Sequence, residues 1–349
     1  MYYDTRADSS DLIMLRQEAT FPIIDLHLNG VTIPKREASG RQLIVNFSAH
    51  DLCLEDVRIA TEELVKGGTT HFLATLVSGP EQTTLRNLAT IAEAMDQPWG
   101  KPIIGIHAEG PFFSLETKGA HCERDIRDYA DLPLFKRMFD ASKGNLVLAT
   151  VSPAIKDAAS FIETITKMGV VVSLGHHNAN LSQIKEAIAA GATGITHAGN
   201  GWSKEPPTDA RKNLEVVAQL TDERTFVMFI PDGVHVSRDF LQIWHKVVEA
   251  VKPGHSIFVS DASPLAGATE GNYTFCNQDI RVERDEQGRL RTFPLTGSYA
   301  QLPECVTILR SMNIISEQEI LAGVTANPLA LMEPALRRID RFPDLSGLK

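Results

Sequence analysis

Short apolar runs alternate along this chain with stretches of helical period. Eight of the runs read as strands: "PIIDLHL" from Pro22, "HFLATLV" from His71, "PIIGIHAEG" from Pro102, "NLVLATVSP" from Asn145, "VVVSLGH" from Val170, "GITHAGN" from Gly194, "FVMFIPDG" from Phe226 and "SIFVSDAS" from Ser256. Helical patterns lie between them at 55–66, 81–96, 130–142, 156–168, 181–190, 211–221 and 237–251, and a last pair near 300–312 and 317–324 follows the eighth run. This alternation is the signal for parallel βα units. Eight such units predict an α/β chain folded as a (β/α)8 barrel of the TIM type, with catalytic groups at the carboxyl ends of the strands.

The barrel rule sorts the eleven histidines. His71 and His255 fall at strand beginnings, His245 inside a helix and His50 beside a helix start, so these four are structural. His27, His107, His176, His197 and His235 lie at or just beyond strand ends, together with Glu109, Asp232 and Asp261. Period-two alternation refines the choice. His107 shares a face with Glu109, one layer lower. His176 continues the face of Val170, Val172 and Leu174, which points it inward and sends His177 to a loop or the surface.

Glu109, His176 and His197 make a catalytic zinc-type set, with three protein ligands and one position left open for water. A divalent ion there acidifies water to a pKa of about 7. Asp261, ending the eighth strand, stands where a general base would take the proton and pass it to a leaving amine. The alternative is a buried Glu hydrogen-bonded to two His without a metal.

The 349 residues carry a net charge of −10 and no Lys/Arg-rich run, which argues against nucleic acid as a partner. No apolar run approaches the roughly 18 residues of a membrane span, and the opening "MYYDTRADSSDL" mixes charges as no signal peptide does. Cys53, Cys122, Cys276 and Cys305 are far apart without a Cys-x-x-Cys, which suits reduced thiols in a cytoplasm.

The motifs "IDLHLNG", "HAEGPFF", "KGAH", "SLGHHNA", "THAGNG", "IPDGVHV", "SDASPLAG" and "LTGS" occur in one order between about Ile23 and Asn327. In this the chain resembles the N-acetylglucosamine-6-phosphate deacetylase family of metal-dependent amidohydrolases. The resemblance implies Glu109, His176 and His197 as metal ligands and Asp261 as the catalytic acid/base. It further implies that His121 contacts the substrate carbonyl, that Asn200, Gly201 and His235 face the sugar phosphate, and that Arg211 binds the phosphate; the other reading of Arg211 is a solvated charge at a helix start. A small-molecule amino sugar is then the partner, acetate and the free amine are the products, and a homodimer is the expected assembly.

Three departures modify this picture. The first strand carries His27-x-Asn29 where two-metal relatives carry His-x-His, and an Asn amide is a weak ligand for zinc or iron. One tightly held ion follows (zinc first, iron or cobalt otherwise), with a second weak or absent at His27. "HAGNGW" replaces the family's "HLxNAM", which reshapes the substrate loop. The small β-sandwich built from both chain ends is reduced or absent: residues 1–20 are an extension or remnant, 21–330 the barrel, and 331–349 a C-terminal tail. Within the barrel, about 271–296 reads as a β-hairpin turning at Gln287-Gly288, either over the active-site mouth or on the surface. The predicted activity is therefore removal of the acetyl group of an N-acetylated amino sugar, foremost N-acetylglucosamine 6-phosphate. The alternatives are the same chemistry on another amide and, more remotely, an inactive binding protein.

Overall fold

The computed structural model describes residues 21–36, 42–201, 214–276, 278–286 and 288–345. Eight parallel strands form one sheet: β1 (Ile24–Leu28), β4 (His71–Val77), β5 (Ile103–Glu109), β6 (Leu146–Val151), β7 (Val171–Leu174), β8 (Gly194–Ile195), β9 (Phe226–Phe229) and β10 (Ser256–Phe258), paired in that order. Both faces of most strands are buried; every residue of β5 and β6 is shielded from solvent. That is why they read as unbroken apolar runs and not as alternating ones.

The seam between β10 and β1 is closed just beyond the strand ends. The Asp261 N–H donates to the His27 carbonyl at 2.9 Å and the Asn29 N–H to the Ala262 carbonyl at 3.0 Å. Beneath, the backbone N–H and hydroxyl of Ser260 donate to the Asp25 carboxylate at 3.2 and 2.5 Å. Three residues of chemical interest, His27, Asn29 and Asp261, are therefore fixed by barrel closure itself.

Helices α1 (Leu54–Lys66), α2 (Glu81–Met95), α3 (Leu132–Ala141), α4 (Ala158–Lys167), α5 (Leu181–Ala189), α6 (Leu214–Thr221) and α7 (Arg238–Val251) return the chain between strands. Their starts are set locally. The Asn180 side chain accepts the Gln183 N–H while Gln183 reaches back to the Asn180 N–H, and Ser237 accepts the Phe240 N–H. Both caps stop a strand-end loop within a few residues of a strand-end histidine, His177 or His235.

Beyond the barrel strands come α8 (Leu302–Met312), α9 (Glu317–Val324) and α10 (Ala326–Arg338). The expected tail from 331 is corrected here. Leu331, Met332, Ala335 and Leu336 of α10 are buried in one cluster with Ile24, Leu26, Leu73, Ile104 and Val147, plugging the amino-terminal end of the barrel. A domain limit at 330 would cut this helix.

Two small sheets flank the barrel. Strands β2 (Gly30–Arg36) and β3 (Gln42–Asn46) form an antiparallel pair directly after β1, which the hydrophobic pattern does not foretell. The expected hairpin at 271–296 is a three-stranded antiparallel sheet of β11 (Gly271–Phe275), β12 (Gln278–Arg284) and β13 (Leu290–Phe293). Residues 1–20 lie outside the described residues. Among the described residues no helix is long and apolar enough to cross a membrane.

Candidate active site

Glu109 is the last residue of β5; His176 and His197 stand two residues past β7 and β8, and Asp261 three past β10. At the last three the backbone leaves the extended region for left-handed φ values of 51°, 29° and 47°. Such a conformation costs a non-glycine residue about 1–3 kcal/mol and recurs where function holds it in place. Two glycines make room for one of the rings. A Cβ on Gly201 (φ 64°) would come within 3.0 Å of His176 Nδ1, and one on Gly119 (φ 60°) within 3.2 Å of its Cε1.

Glu109 Oε1 lies 3.1 Å from His176 Nε2 and 3.1 Å from His197 Nε2, which are 3.2 Å from each other. The other carboxylate oxygen, Oε2, is 3.0 Å from His27 Nε2 and 3.8 Å from His121 Nε2. His27 Nε2 is also 3.2 Å from Asp261 Oδ1, which accepts the Asn29 side-chain N–H at 2.9 Å. Among the described residues two overlapping groups could hold a cation, His27–Glu109–His197 and Glu109–His121–His176, and both contain Glu109.

Hydrogen bonds on the far side of each ring orient the donors. His176 Nδ1 lies 2.9 Å from the Thr117 carbonyl, an acceptor only, so Nδ1 carries the proton and Nε2 offers its lone pair to the centre. His121 is the reverse. Its Nδ1 accepts the Ser78 N–H at 3.2 Å, leaving Nε2–H directed at the pocket. Among the described residues His27 Nε2 makes no well-formed hydrogen bond although two carboxylates lie beside it, and His197 Nδ1 finds no partner there.

The electrostatics are those of a buried anion among rings. Burial pushes the Glu109 carboxyl up, but the His27 imidazole beside it and the close approach of the His176 and His197 rings hold it well below its ordinary value. Burial pushes the His27 imidazole down; Glu109 and Asp261 outweigh it and raise that ring to about 9. His121 is carried by burial to about 3 and stays neutral.

The residues present fit a divalent metal ion. A tetrahedral site with bonds of 2.0–2.1 Å has donor–donor edges of about 3.3 Å. The three edges among Glu109 Oε1, His176 Nε2 and His197 Nε2 are 3.1, 3.1 and 3.2 Å. A carboxylate oxygen and an imidazole lone pair this close repel unless a cation or added protons lie between them.

A pocket of about 340 Å³ opens above these groups, lined among others by Asn29, His121, Asn200, Gly201, His235 and Asp261. The sequence-predicted residues Glu109, His176, His197, Asp261, His121, Asn200, Gly201 and His235 thus share one cavity; Arg211 lies outside the described residues. His107 sits one layer down, wholly buried between Thr75 and Thr150 at 3.2 and 2.8 Å, with its ring edge-on to His27 at 4.7 Å. His177 lies in the loop after β7 as expected, but not at the surface. It is buried, with Nε2 3.1 Å from Gln219 Oε1 on α6 and Nδ1 accepting the Ala179 N–H. The loop folds back under α6, so the ring that faces away from the site meets a helix and not solvent.

Several partners escaped sequence reasoning. Asn29 bonds Asp261, and Asp232 accepts the His235 Nδ1–H at 2.7 Å while its other oxygen takes the Val234 and His235 N–H groups. The sheet β11–β13 covers one side of the mouth, contributing Phe275, Cys276 and Gln278 to the wall. Gln278 Nε2–H donates to the Ala120 carbonyl at 2.7 Å, tying that sheet to the loop that bears His121. Burial, then Glu109 nearby, pushes the Cys276 thiol up to about 12, so it stays uncharged. The His-x-Asn spacing marks Asn29, the strand-end rule Asp232, and the hairpin pattern one reading of a cover over the mouth, but none of these marks the bonds themselves.

Fold and site together define an amidohydrolase: the amidohydrolase family model matches residues 22–255, and the chain belongs to that family. Within it the chain is similar to N-acetylglucosamine-6-phosphate deacetylase of Bos taurus, 29% identical over 284 residues that cover 79% of this chain and 67% of the relative. The enzyme of that name from Vibrio furnissii is 31% identical over 255 residues, covering 72% of this chain and 61% of its own. Among solved structures, a mutant N-acetyl-D-glucosamine-6-phosphate deacetylase from Mycobacterium smegmatis in complex with N-acetyl-D-glucosamine-6-phosphate superposes with a TM-score of 0.76 at 27% identity, covering 89% of this chain and 77% of that one.

Proposed function

We propose that this chain is a metal-dependent deacetylase of an N-acetylated amino sugar, foremost N-acetylglucosamine 6-phosphate, releasing acetate and the free amine. The observation that carries the reading is the approach of Glu109 Oε1, His176 Nε2 and His197 Nε2 to within 3.2 Å of one another beside His121 and Asp261. These three would hold one divalent ion, zinc first and iron or cobalt otherwise, with His27 at most a weak second position. A divalent ion in such a donor set supplies Lewis acidity, polarising a carbonyl and acidifying water near neutral pH.

The protein groups do the rest. His121 Nε2–H donates to the carbonyl oxygen and stabilises the negative charge that develops there as water adds. Asp261 takes the proton from the attacking water and delivers it to the amine nitrogen as the C–N bond breaks. Asn29 holds Asp261 in place through the 2.9 Å hydrogen bond. Asn200, Gly201 and His235, with Arg211, receive the sugar phosphate. Burial disfavours a charged His235, but Asp232 outweighs burial and raises its pKa, which favours the protonated ring beside an anion.

Acetate release from a panel of phosphorylated and free N-acetyl sugars tests the reading, with elemental analysis of the protein alongside. One metal per chain and turnover of the 6-phosphate are expected. Activity on free sugars alone would move the substrate away from phosphates, and a metal-loaded protein inert on every amide would refute deacetylation. The reading includes a homodimer, checked by light scattering, and a reducing cytoplasm, in keeping with four unpaired cysteines.

A further inference from the structure

The pocket has two unlike arcs. Asn200, Gly201 and His235 stand on the β8–β9 side and offer polar groups, whereas Val77, Phe275, Cys276 and Leu295 make an apolar arc across from them. Val77 ends β4 as the register neighbour of Glu109. It packs in a cluster with Phe275, and Cys276 lies against that cluster. The hydrogen bond from Gln278 to Ala120 pins this arc beside the His121 loop.

An amide carbon has three substituents. With its oxygen at His121 and its nitrogen within reach of Asp261, and with the sugar on the polar arc, the acyl chain is the one substituent left. It is also the one apolar end of such a substrate. We propose that Val77 and Cys276 form the acyl wall of this pocket and set the length of acyl chain the enzyme accepts. This inference rests on the deacetylase reading and adds to it the residues that read the acyl group. Cys276 suits that role because it projects from the tight turn between β11 and β12 at φ 50°, a backbone position fixed by the two strands and not by the thiol.

The test compares kcat/KM for the N-acetyl, N-propionyl and N-butyryl forms of one amino sugar 6-phosphate in the wild type, Cys276→Leu, Cys276→Ala and Val77→Ala. One methylene in an apolar pocket changes discrimination by about tenfold or more. Cys276→Leu should therefore lower the propionyl-to-acetyl ratio by about that factor, and Cys276→Ala and Val77→Ala should raise the butyryl-to-acetyl ratio by about as much. The preference between glucosamine and mannosamine substrates should stay as it is. Metal content and the thermal midpoint establish that each variant is folded; if the leucine variant is not, the two alanine variants decide. Acyl ratios within about twofold of wild type in every folded variant, or a change in sugar preference instead, overturn the inference alone. A wild type that cleaves none of the three amides overturns the deacetylase reading as well.

Discussion

Asn29→Ala separates positioning from metal binding. Asn29 is nearly buried, and its side-chain N–H reaches Asp261 Oδ1 at 2.9 Å, close to where a second histidine would ligate in a two-metal relative. If Asn29 acts by holding the Asp261 carboxylate, alanine removes one hydrogen bond to a charged group, worth about 1.5–3 kcal/mol. Asp261 is partly open to the pocket, and water can replace some of that bond, so about 2 kcal/mol is the fitting figure. At 1.36 kcal/mol per decade this is a fall of about 30-fold in kcat/KM. The metal-to-protein ratio after gel filtration should not change, because Glu109, His176 and His197 are untouched. Acetate release measured over a range of substrate concentrations, with plasma emission analysis of the same samples, gives both quantities. Loss of metal in proportion to activity would refute the reasoning and make Asn29 a ligand; full activity would show that the bond to Asp261 contributes nothing.

Other outcomes follow from the same geometry. Gly201→Ala places a Cβ 3.0 Å from His176 Nδ1 at a φ of 64°, and should weaken metal retention against a chelator by about tenfold or more. His176→Ala should lose metal, whereas His177→Ala should keep it and only destabilise the loop. Burial carries His177 to about 4, so the unfolded chain takes up a proton near 6.5 that the folded chain refuses. Its contribution is therefore complete above pH 6.5 and declines as pH falls toward 4, by about 3 kcal/mol; urea titrations across that range should show a flatter decline in His177→Gln, and an unchanged slope would sink the assignment. Met332→Ala, beneath the barrel, should cost about 2–5 kcal/mol, seen as a lowered thermal midpoint, whereas a free tail would show no change.

The barrel was legible because strands covered on both faces leave unbroken apolar runs, and because Asn180 and Ser237 mark helix starts next to site residues. The C-terminal helix α10 was missed altogether. Pro334 lies inside α10 and reads in sequence as a helix stop, yet the buried face of Leu331, Met332, Ala335 and Leu336 holds the helix together past it. The first strand of the outer sheet, β11, was hidden because the turn that follows it uses Cys276 at positive φ where a glycine would have signalled it. At the site, strand-end position singled out Glu109, His176, His197 and Asp261. Parity does not explain their aim, since His176, His197 and Asp261 have already left the extended region. The partners Asn29, Ser78, Thr117 and Asp232 act through hydrogen bonds, those of Ser78 and Thr117 through backbone groups, and no spacing rule reports such bonds.

The central claim is a single cation held by one carboxylate and two imidazoles. Anomalous diffraction from crystals of metal-loaded protein, collected on either side of the absorption edge of the metal found by elemental analysis, tests it most directly. The account predicts one strong peak about 2.0–2.2 Å from a Glu109 oxygen, His176 Nε2 and His197 Nε2. A peak seated between His27 and Asp261 alone, or none within bonding reach of His176 and His197, would contradict it.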